Sequence, residues 1–106
     1  MAIVFLFAVP GYAQREVALT FDDLPATRAA ELDKTRDITN RILRSLARAK
    51  APAIGFVNES KLHVEGETDR RVALLAQWLD AGHELGNHTY SHVFIDEVSF
   101  DDYKHD

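Results

Sequence analysis

The chain has 106 residues, which is enough for one small domain at most. Its net charge of −5 and its lack of a Lys/Arg run argue against a sequence-independent nucleic-acid binder, which would usually be basic. The chain contains no cysteine, and this excludes disulfides and thiolate metal sites.

The first stretch, residues 1–13, has the features of the end of a secretory signal peptide. It contains an apolar run, Ile3 to Val9, that is too short to span a bilayer. Gly11 and Ala13 supply small residues at the −3 and −1 positions of a cleavage site before Gln14. No Lys or Arg directly follows Met1, and a buried first strand is the alternative. We expect a signal peptide and therefore an extracytoplasmic (periplasmic or secreted) protein.

The remainder of the chain alternates between strand-like and helix-like segments. Short apolar runs predict three strands, at residues 16–21, 53–57 and 84–87. Apolar residues at helical spacing predict two helices between them, at residues 33–49 and 69–81. A third helix is predicted to begin after Ser99, its cap. This alternation is typical of parallel strands with right-handed crossovers, in which functional groups gather at the C-terminal ends of the strands.

The spacing also predicts which face of each helix is buried. In the first helix, which Asp33 or Thr35 is expected to cap, this face consists of Ile38, Ile42, Leu43 and Leu46. In the second helix it consists of Val72, Leu75, Ala76 and Leu79, widened by Leu74 and Trp78. Thr68 is the expected cap of the second helix, and Gly82 is expected to end it in the left-handed conformation.

Two groups of polar residues follow predicted strands. Asp22 and Asp23 follow the first strand, and His88 and His92 follow the third. If residues 88–92 form one helical turn, both imidazoles project from the same face. Two imidazoles and one carboxylate can hold a divalent metal and leave positions open for water and substrate. The second aspartate would then be free to act as a general base in ester or amide hydrolysis.

The residues alone leave other interpretations open. Histidines four residues apart are common on helix surfaces, and paired aspartates are common in turns, so all four side chains could be structural. The same ligand types also fit a non-haem iron oxygenase. His63 and His83 are not expected to be ligands. Asn87 either forms hydrogen bonds with groups that contact the ligands or simply ends the strand.

Two segments resemble the first two motifs of the polysaccharide deacetylases, the NodB-homology domain of carbohydrate esterase family four. Leu19 to Asp23 is similar to the first motif, Thr-Phe-Asp-Asp, and Gly82 to His92 contains the second, His-Ser/Thr-x-x-His. Phe56-Val57 resembles the second strand of the family. The resemblance extends from about Glu16 to Asp106.

This resemblance implies a fold, a reaction and roles for the four polar residues. The fold is α/β, the N-terminal portion of a distorted (β/α) barrel, truncated after the third strand. Asp22 is implied to be the general base, and Asp23, His88 and His92 are implied to be the metal ligands, most often of zinc. The implied substrates are N- or O-acetyl groups on sugars, as in peptidoglycan, chitin or xylan.

The later motifs of the family do not follow His92 in this chain. They supply Arg and Pro residues that line the groove, an Asp/Trp-rich segment and a histidine that acts as the general acid. His105 lacks the sequence surroundings expected of that histidine. We therefore expect residues 14–106 to be the N-terminal part of a deacetylase-like domain, an incomplete fragment with little turnover by itself. Its third strand would be an unprotected edge. The alternatives are an amide hydrolase of the same fold with a small non-sugar substrate, and a non-catalytic carbohydrate-binding module. Neither nucleic acid nor a membrane span is expected.

Overall fold

The computed structural model describes residues 16–26 and 31–106, so the predicted signal peptide lies outside the described residues. Seven elements follow one another in this part of the chain. In order they are β1 (Thr20–Leu24), α1 (Leu32–Ala49), β2 (Ile54–Val57), a short 3₁₀ helix (Glu59–Leu62), α2 (Thr68–Asp80), β3 (Glu84–Asn87) and α3 (Phe100–His105). None of the described helices combines the length and the apolar character needed to cross a bilayer.

The three strands form one parallel sheet in the order β1-β2-β3. Ile54 of the central strand is in register with Thr20 on one side and with Glu84 on the other. Within the described residues, β1 and β3 are therefore the two edges of the sheet. The predicted α/β alternation with parallel strands is confirmed, and the carboxyl ends of all three strands lie at one edge.

The position of β1 differs from the prediction. The strand begins at Thr20 and ends at Leu24, so Asp22 and Asp23 lie inside its C-terminal half and do not follow it. The pairing with β2 is irregular between Phe21 and Leu24, and Asp23 has a positive φ of 67°. This local irregularity lets the strand continue through two acidic residues that are normally disfavoured in strands. The β3 bounds agree with the prediction, and β2 begins one residue later than expected.

The predicted caps of α1 and α2 are wrong. Glu31 precedes α1 without a side-chain capping bond, and Thr35 lies one turn inside the helix, where its Oγ1 donates to the Glu31 carbonyl at 3.0 Å. Asp33 is likewise in the first turn. Thr68 is the first residue of α2, and Glu67 occupies the cap position. Sequence spacing identifies a polar residue near a helix start but does not say which of several neighbours is the cap.

The predicted ends of the elements agree better with the structure. α1 ends at Ala49 as expected, and α2 ends at Asp80, one residue before its predicted end. Gly82 adopts the predicted left-handed conformation, with a φ of 82°. Ser99 caps α3 as predicted, since its Oγ accepts a hydrogen bond from the Asp102 amide at 3.1 Å.

The core lies between the sheet and the two long helices. Its buried residues are Leu24, Leu46, Ala53 and Trp78, and the partly buried residues packed against them are Phe21, Ile42, Leu43, Ala51, Val57, Leu75 and Leu85. Trp78 is fully buried and its ring meets that of Phe21 edge-on, with centroids 5.5 Å apart. This cluster fixes β1 against α2 and so fixes the strand that carries the two aspartates.

The buried face of α2 is rotated from the predicted one. Leu74 is 2% exposed and Trp78 is fully buried, whereas Val72 and Leu79 are 46% and 56% exposed. Arg71 completes the buried face, where it forms an ion pair with a glutamate one turn earlier. A buried face predicted from apolar residues alone leaves out this buried arginine. The predicted face is therefore rotated around the helix axis from the observed one.

The buried face of α1 contains polar residues that the apolar stripe omitted. Leu46 is buried as predicted, but Ile38 is 37% exposed. Thr35 and Thr39 are almost fully buried on the same helix. The buried face of α1 therefore includes two threonines that the apolar spacing did not identify.

Candidate metal centre

The end of β1 and the loop after β3 bring three ligand-type side chains together. Asp23, His88 and His92 each offer one atom, and these atoms lie within 4.8 Å of one another. His92 Nε2 is 3.7 Å from Asp23 Oδ1, and the two imidazole centroids are 4.8 Å apart. Ligand atoms about 2.0–2.2 Å from a tetrahedral ion are about 3.3–3.6 Å from one another, so a small closure would complete the site. The nitrogen and oxygen donors fit zinc and related divalent ions.

The histidines converge for a reason other than the predicted one. Residues 88–92 do not form a helical turn, and Thr89 and His92 both have positive φ angles, of 63° and 65°. The loop is closed by side chains: Asn87 Oδ1 accepts from the Thr89 amide at 2.8 Å, and Thr89 Oγ1 accepts from the His92 amide at 3.1 Å. Asn87 therefore both ends β3 and braces the ligand loop.

Asn58, which the sequence analysis did not single out, supports this loop. Its side chain is fully buried, and its Nδ2 donates to the His88 carbonyl and, at 3.3 Å, to the Thr89 carbonyl. The Asn58 amide in turn donates to the Leu24 carbonyl at 3.3 Å. One residue after β2 thus links the ends of β1 and β3. Its place directly after a strand, at the edge that carries the other polar groups, was the available signal.

Lys61 is the second residue that sequence analysis missed. Its Nζ lies 3.1 Å from Asp23 Oδ1 and 3.4 Å from the Asp23 carbonyl oxygen. The two side chains are only 27% and 20% exposed. A lysine in the 3₁₀ helix after β2 therefore forms a partly buried ion pair with a residue of the metal cluster.

The electrostatic surroundings of Asp23 favour its ionised form. Burial acts in the opposite direction and raises the pKa of the carboxyl group. The hydrogen bond and the charge of Lys61, with smaller effects of His92 and His88, outweigh burial and hold the pKa below its ordinary value. Asp23 is thus kept as the carboxylate, the form that binds a metal ion.

Asp106 braces the outer side of the ligand loop. Both of its carboxylate oxygens accept from the Ser91 amide at 3.1 Å, and Oδ1 also accepts from the Ser91 hydroxyl. The side-chain hydrogen bond of Ser91 is the main reason that the pKa of Asp106 is lowered. The Tyr90 amide donates to the Asp106 carbonyl at 2.8 Å. Tyr90 and Ser91, which lie between the two histidines, are therefore held by the residue that follows α3.

The remaining candidate residues lie outside the cluster of ligand atoms. Asp22 is exposed, next to the half-buried Asp23, and no ion pair to it occurs within residues 16–26 and 31–106. His63 has a side chain that is 51% exposed and lies 3.7 Å from a surface glutamate. His83 packs edge-on against Trp78, with centroids 5.7 Å apart.

The fold and the site define an α/β protein with a candidate Asp-His-His metal centre at the carboxyl edge of a parallel sheet. The sequence profile described as polysaccharide deacetylase matches residues 11–106. The chain belongs to the polysaccharide deacetylase family. Two curated relatives agree with this assignment.

The first is the peptidoglycan-N-acetylmuramic acid deacetylase PdaC of Bacillus subtilis (strain 168). It is 36% identical over 86 residues, which cover 81% of this chain and 15% of the relative. The second is a peptidoglycan-N-acetylglucosamine deacetylase of Bacillus cereus, 32% identical over 100 residues, which cover 94% of this chain and 30% of the relative. The chain thus spans less than a third of the length of either protein. No solved structure matches it significantly.

Proposed function

We propose that the protein is a metal-dependent hydrolase that removes N- or O-linked acetyl groups from a carbohydrate polymer or oligomer. The observation that carries the proposal is the convergence of Asp23, His88 and His92 with Asp22 beside them. Both relatives are named as deacetylases of peptidoglycan sugars, which supports an acetylated carbohydrate as the substrate. Residues 1–13 and the cell-wall substrates of these relatives support an extracytoplasmic location.

The three ligand-type residues would hold a divalent ion, and zinc is our first choice. Catalytic zinc sites have three protein ligands and keep a position open, and this is the number that the structure brings together. When bound, the ion lowers the pKa of a water molecule and polarises the acetyl carbonyl group. Within residues 16–26 and 31–106, the partial exposure of the His92 side chain, 38%, leaves an approach for substrate.

Asp22 would act as the general base. Its neighbour Asp23 is held by Lys61 and faces His92, whereas the Asp22 carboxylate is exposed. The two carboxylates need not bind the same ion, so Asp23 can be a ligand while Asp22 stays free to take a proton from the attacking water. Asp22 would take the proton as the water oxygen attacks the acetyl carbonyl carbon. The bond to the sugar nitrogen or oxygen would then break, the sugar atom would take the proton held by Asp22, and acetic acid would leave and ionise to acetate.

The experiment is an acetate-release assay on the full-length protein with added zinc. Acetylated chito-oligosaccharide and peptidoglycan fragments are the substrates, and a small non-sugar amide is the comparison. We expect release from a carbohydrate that stops on chelation and returns with zinc. Release from the small amide alone would favour the alternative amide hydrolase, and release that persists after chelation would contradict the metal-dependent mechanism. The 106-residue chain by itself is expected to release little acetate.

A further inference from the structure

We propose that Lys61 sets the metal affinity of the centre, because its ammonium group competes with the divalent ion for the Asp23 carboxylate. This inference rests on the proposed function, since it assumes that Asp23 is a metal ligand. It assigns a role to a residue that lies outside both sequence motifs. The role is that of a positioning and affinity-determining residue that acts through Asp23.

The first argument is that Lys61 and His92 both lie next to the same carboxylate oxygen of Asp23. Asp23 Oδ1 is the oxygen that lies 3.7 Å from His92 Nε2, and it is also the oxygen that lies 3.1 Å from Lys61 Nζ. An ion bound to this oxygen at about 2.1 Å would lie within about 5.2 Å of the ammonium nitrogen, whatever the angle. Two cations at such a short distance repel each other strongly in a partly buried site.

The second argument is that the lysine is held in place from its backbone. The Lys61 amide donates to the Asn58 carbonyl at 3.1 Å, and the Lys61 carbonyl accepts from Arg71 Nη1 at 3.2 Å. Arg71 is 3% exposed and forms an ion pair with Glu67 at 2.9 Å. The backbone from which the Lys61 side chain extends to Asp23 is therefore held in place.

The consequence is that the negative charge of the metal-free centre is already neutralised by Lys61. The centre therefore binds the ion less tightly than the same three ligands would bind it without the lysine. Lys61 balances the Asp23 carboxylate in the absence of an ion. The ion gains the carboxylate only by weakening this ion pair. Removal of the ammonium group should therefore raise the affinity, although the same change removes a contact that orients Asp23.

The test is isothermal titration of the metal-free full-length protein with zinc, for wild type and for Lys61→Met, Lys61→Gln and Lys61→Arg. We expect the first two variants to bind zinc at least tenfold more tightly, and Lys61→Arg to remain within threefold of wild type because it keeps the charge. Lys34→Met is the matched control, since Lys34 is exposed and forms its ion pair with Glu31, which is not part of the cluster, and it should bind as wild type does. Circular dichroism checks that each variant is folded.

Unchanged or weaker zinc binding by both Lys61→Met and Lys61→Gln would overturn the competition and would assign Lys61 to the orientation of Asp23. In that case wild type still binds zinc, and the proposed function is unaffected. Failure of the wild type and of both variants to bind zinc would overturn the metal centre itself. The two failures are therefore distinguishable in one series of titrations.

Discussion

The buried side-chain amide of Asn58 donates a hydrogen bond to the backbone carbonyl of His88. This contact joins the end of the central strand to the loop that carries two of the three candidate ligands. The same amide group reaches the Thr89 carbonyl at 3.3 Å. The ligand loop is therefore fixed by a residue that belongs to neither sequence motif.

Replacement of Asn58 by alanine should destabilise the protein by about 1–3 kcal/mol, because it leaves two partly buried carbonyl groups without their donor. It should also weaken zinc binding, since the His88 backbone loses its support. Urea denaturation and zinc titration measure the two effects. Asn40→Ala, on α1, is the control and should change stability by less than about 0.5 kcal/mol. Equal stability of Asn58→Ala and wild type would contradict this role.

Replacement of Asp22 by asparagine should lower the rate of acetate release by about 10²–10⁴-fold, because the general base is lost. Zinc affinity should remain close to that of wild type, since Asp22 is exposed beside the cluster and is not one of its three members. Steady-state kinetics and zinc titration separate the two properties. Unchanged acetate release by Asp22→Asn would contradict the role of Asp22 as the base, and carbohydrate binding without acetate release by the wild type would favour a non-catalytic carbohydrate-binding module.

Leu74 and Leu79 distinguish the observed face of α2 from the predicted one. Leu74 is 2% exposed and Leu79 is 56% exposed, although the apolar spacing gave Leu79 the more central place. Leu74→Ala should lower the free energy of unfolding by about 2–5 kcal/mol, and Leu79→Ala by less than about 0.5 kcal/mol. Urea denaturation of the two variants provides the comparison. A larger loss of stability in Leu79→Ala than in Leu74→Ala would support the buried face predicted from the sequence.

The lowered pKa of Asp23 has a consequence for stability in acid. A carboxyl group whose pKa is lower in the folded than in the unfolded state stabilises the fold above its unfolded pKa, and this contribution disappears as the pH falls through the folded pKa. The metal-free protein should therefore lose stability as the pH falls below about 4. Asp23→Asn and Lys61→Met should both show a smaller loss over the same interval in thermal denaturation. A loss as steep in both variants as in wild type would show that the ion pair does not contribute.

Local sequence patterns were sufficient for the parallel α/β order and for the bounds of β3, because these depend on short apolar runs and on the turn at Gly82. They also pointed to the aspartate pair and the two histidines as candidates, and the resemblance to the polysaccharide deacetylases selected Asp23 as the ligand of the pair. Their catalytic and metal-binding roles remain predictions.

The patterns failed where a residue's role depends on a distant partner. Asn58 and Lys61 look like ordinary loop residues until the fold places the His88 carbonyl and the Asp23 carboxylate against them. The buried position of Arg71 depends in the same way on the Lys61 carbonyl. The two histidines of residues 88–92 have the spacing of a helical turn, but the loop is shaped by side-chain hydrogen bonds. The spacing of residues in the sequence does not predict such bonds.

The most direct test of the metal centre is the stoichiometry of zinc bound to the full-length protein and to single variants of its three members. Wild type should bind one zinc ion at the site, and Asp23→Ala, His88→Ala and His92→Ala should each reduce the affinity at least a hundredfold. His63→Ala, which removes an exposed histidine outside the cluster, should bind as tightly as wild type. Equal zinc affinity of wild type and the three cluster variants would contradict the account.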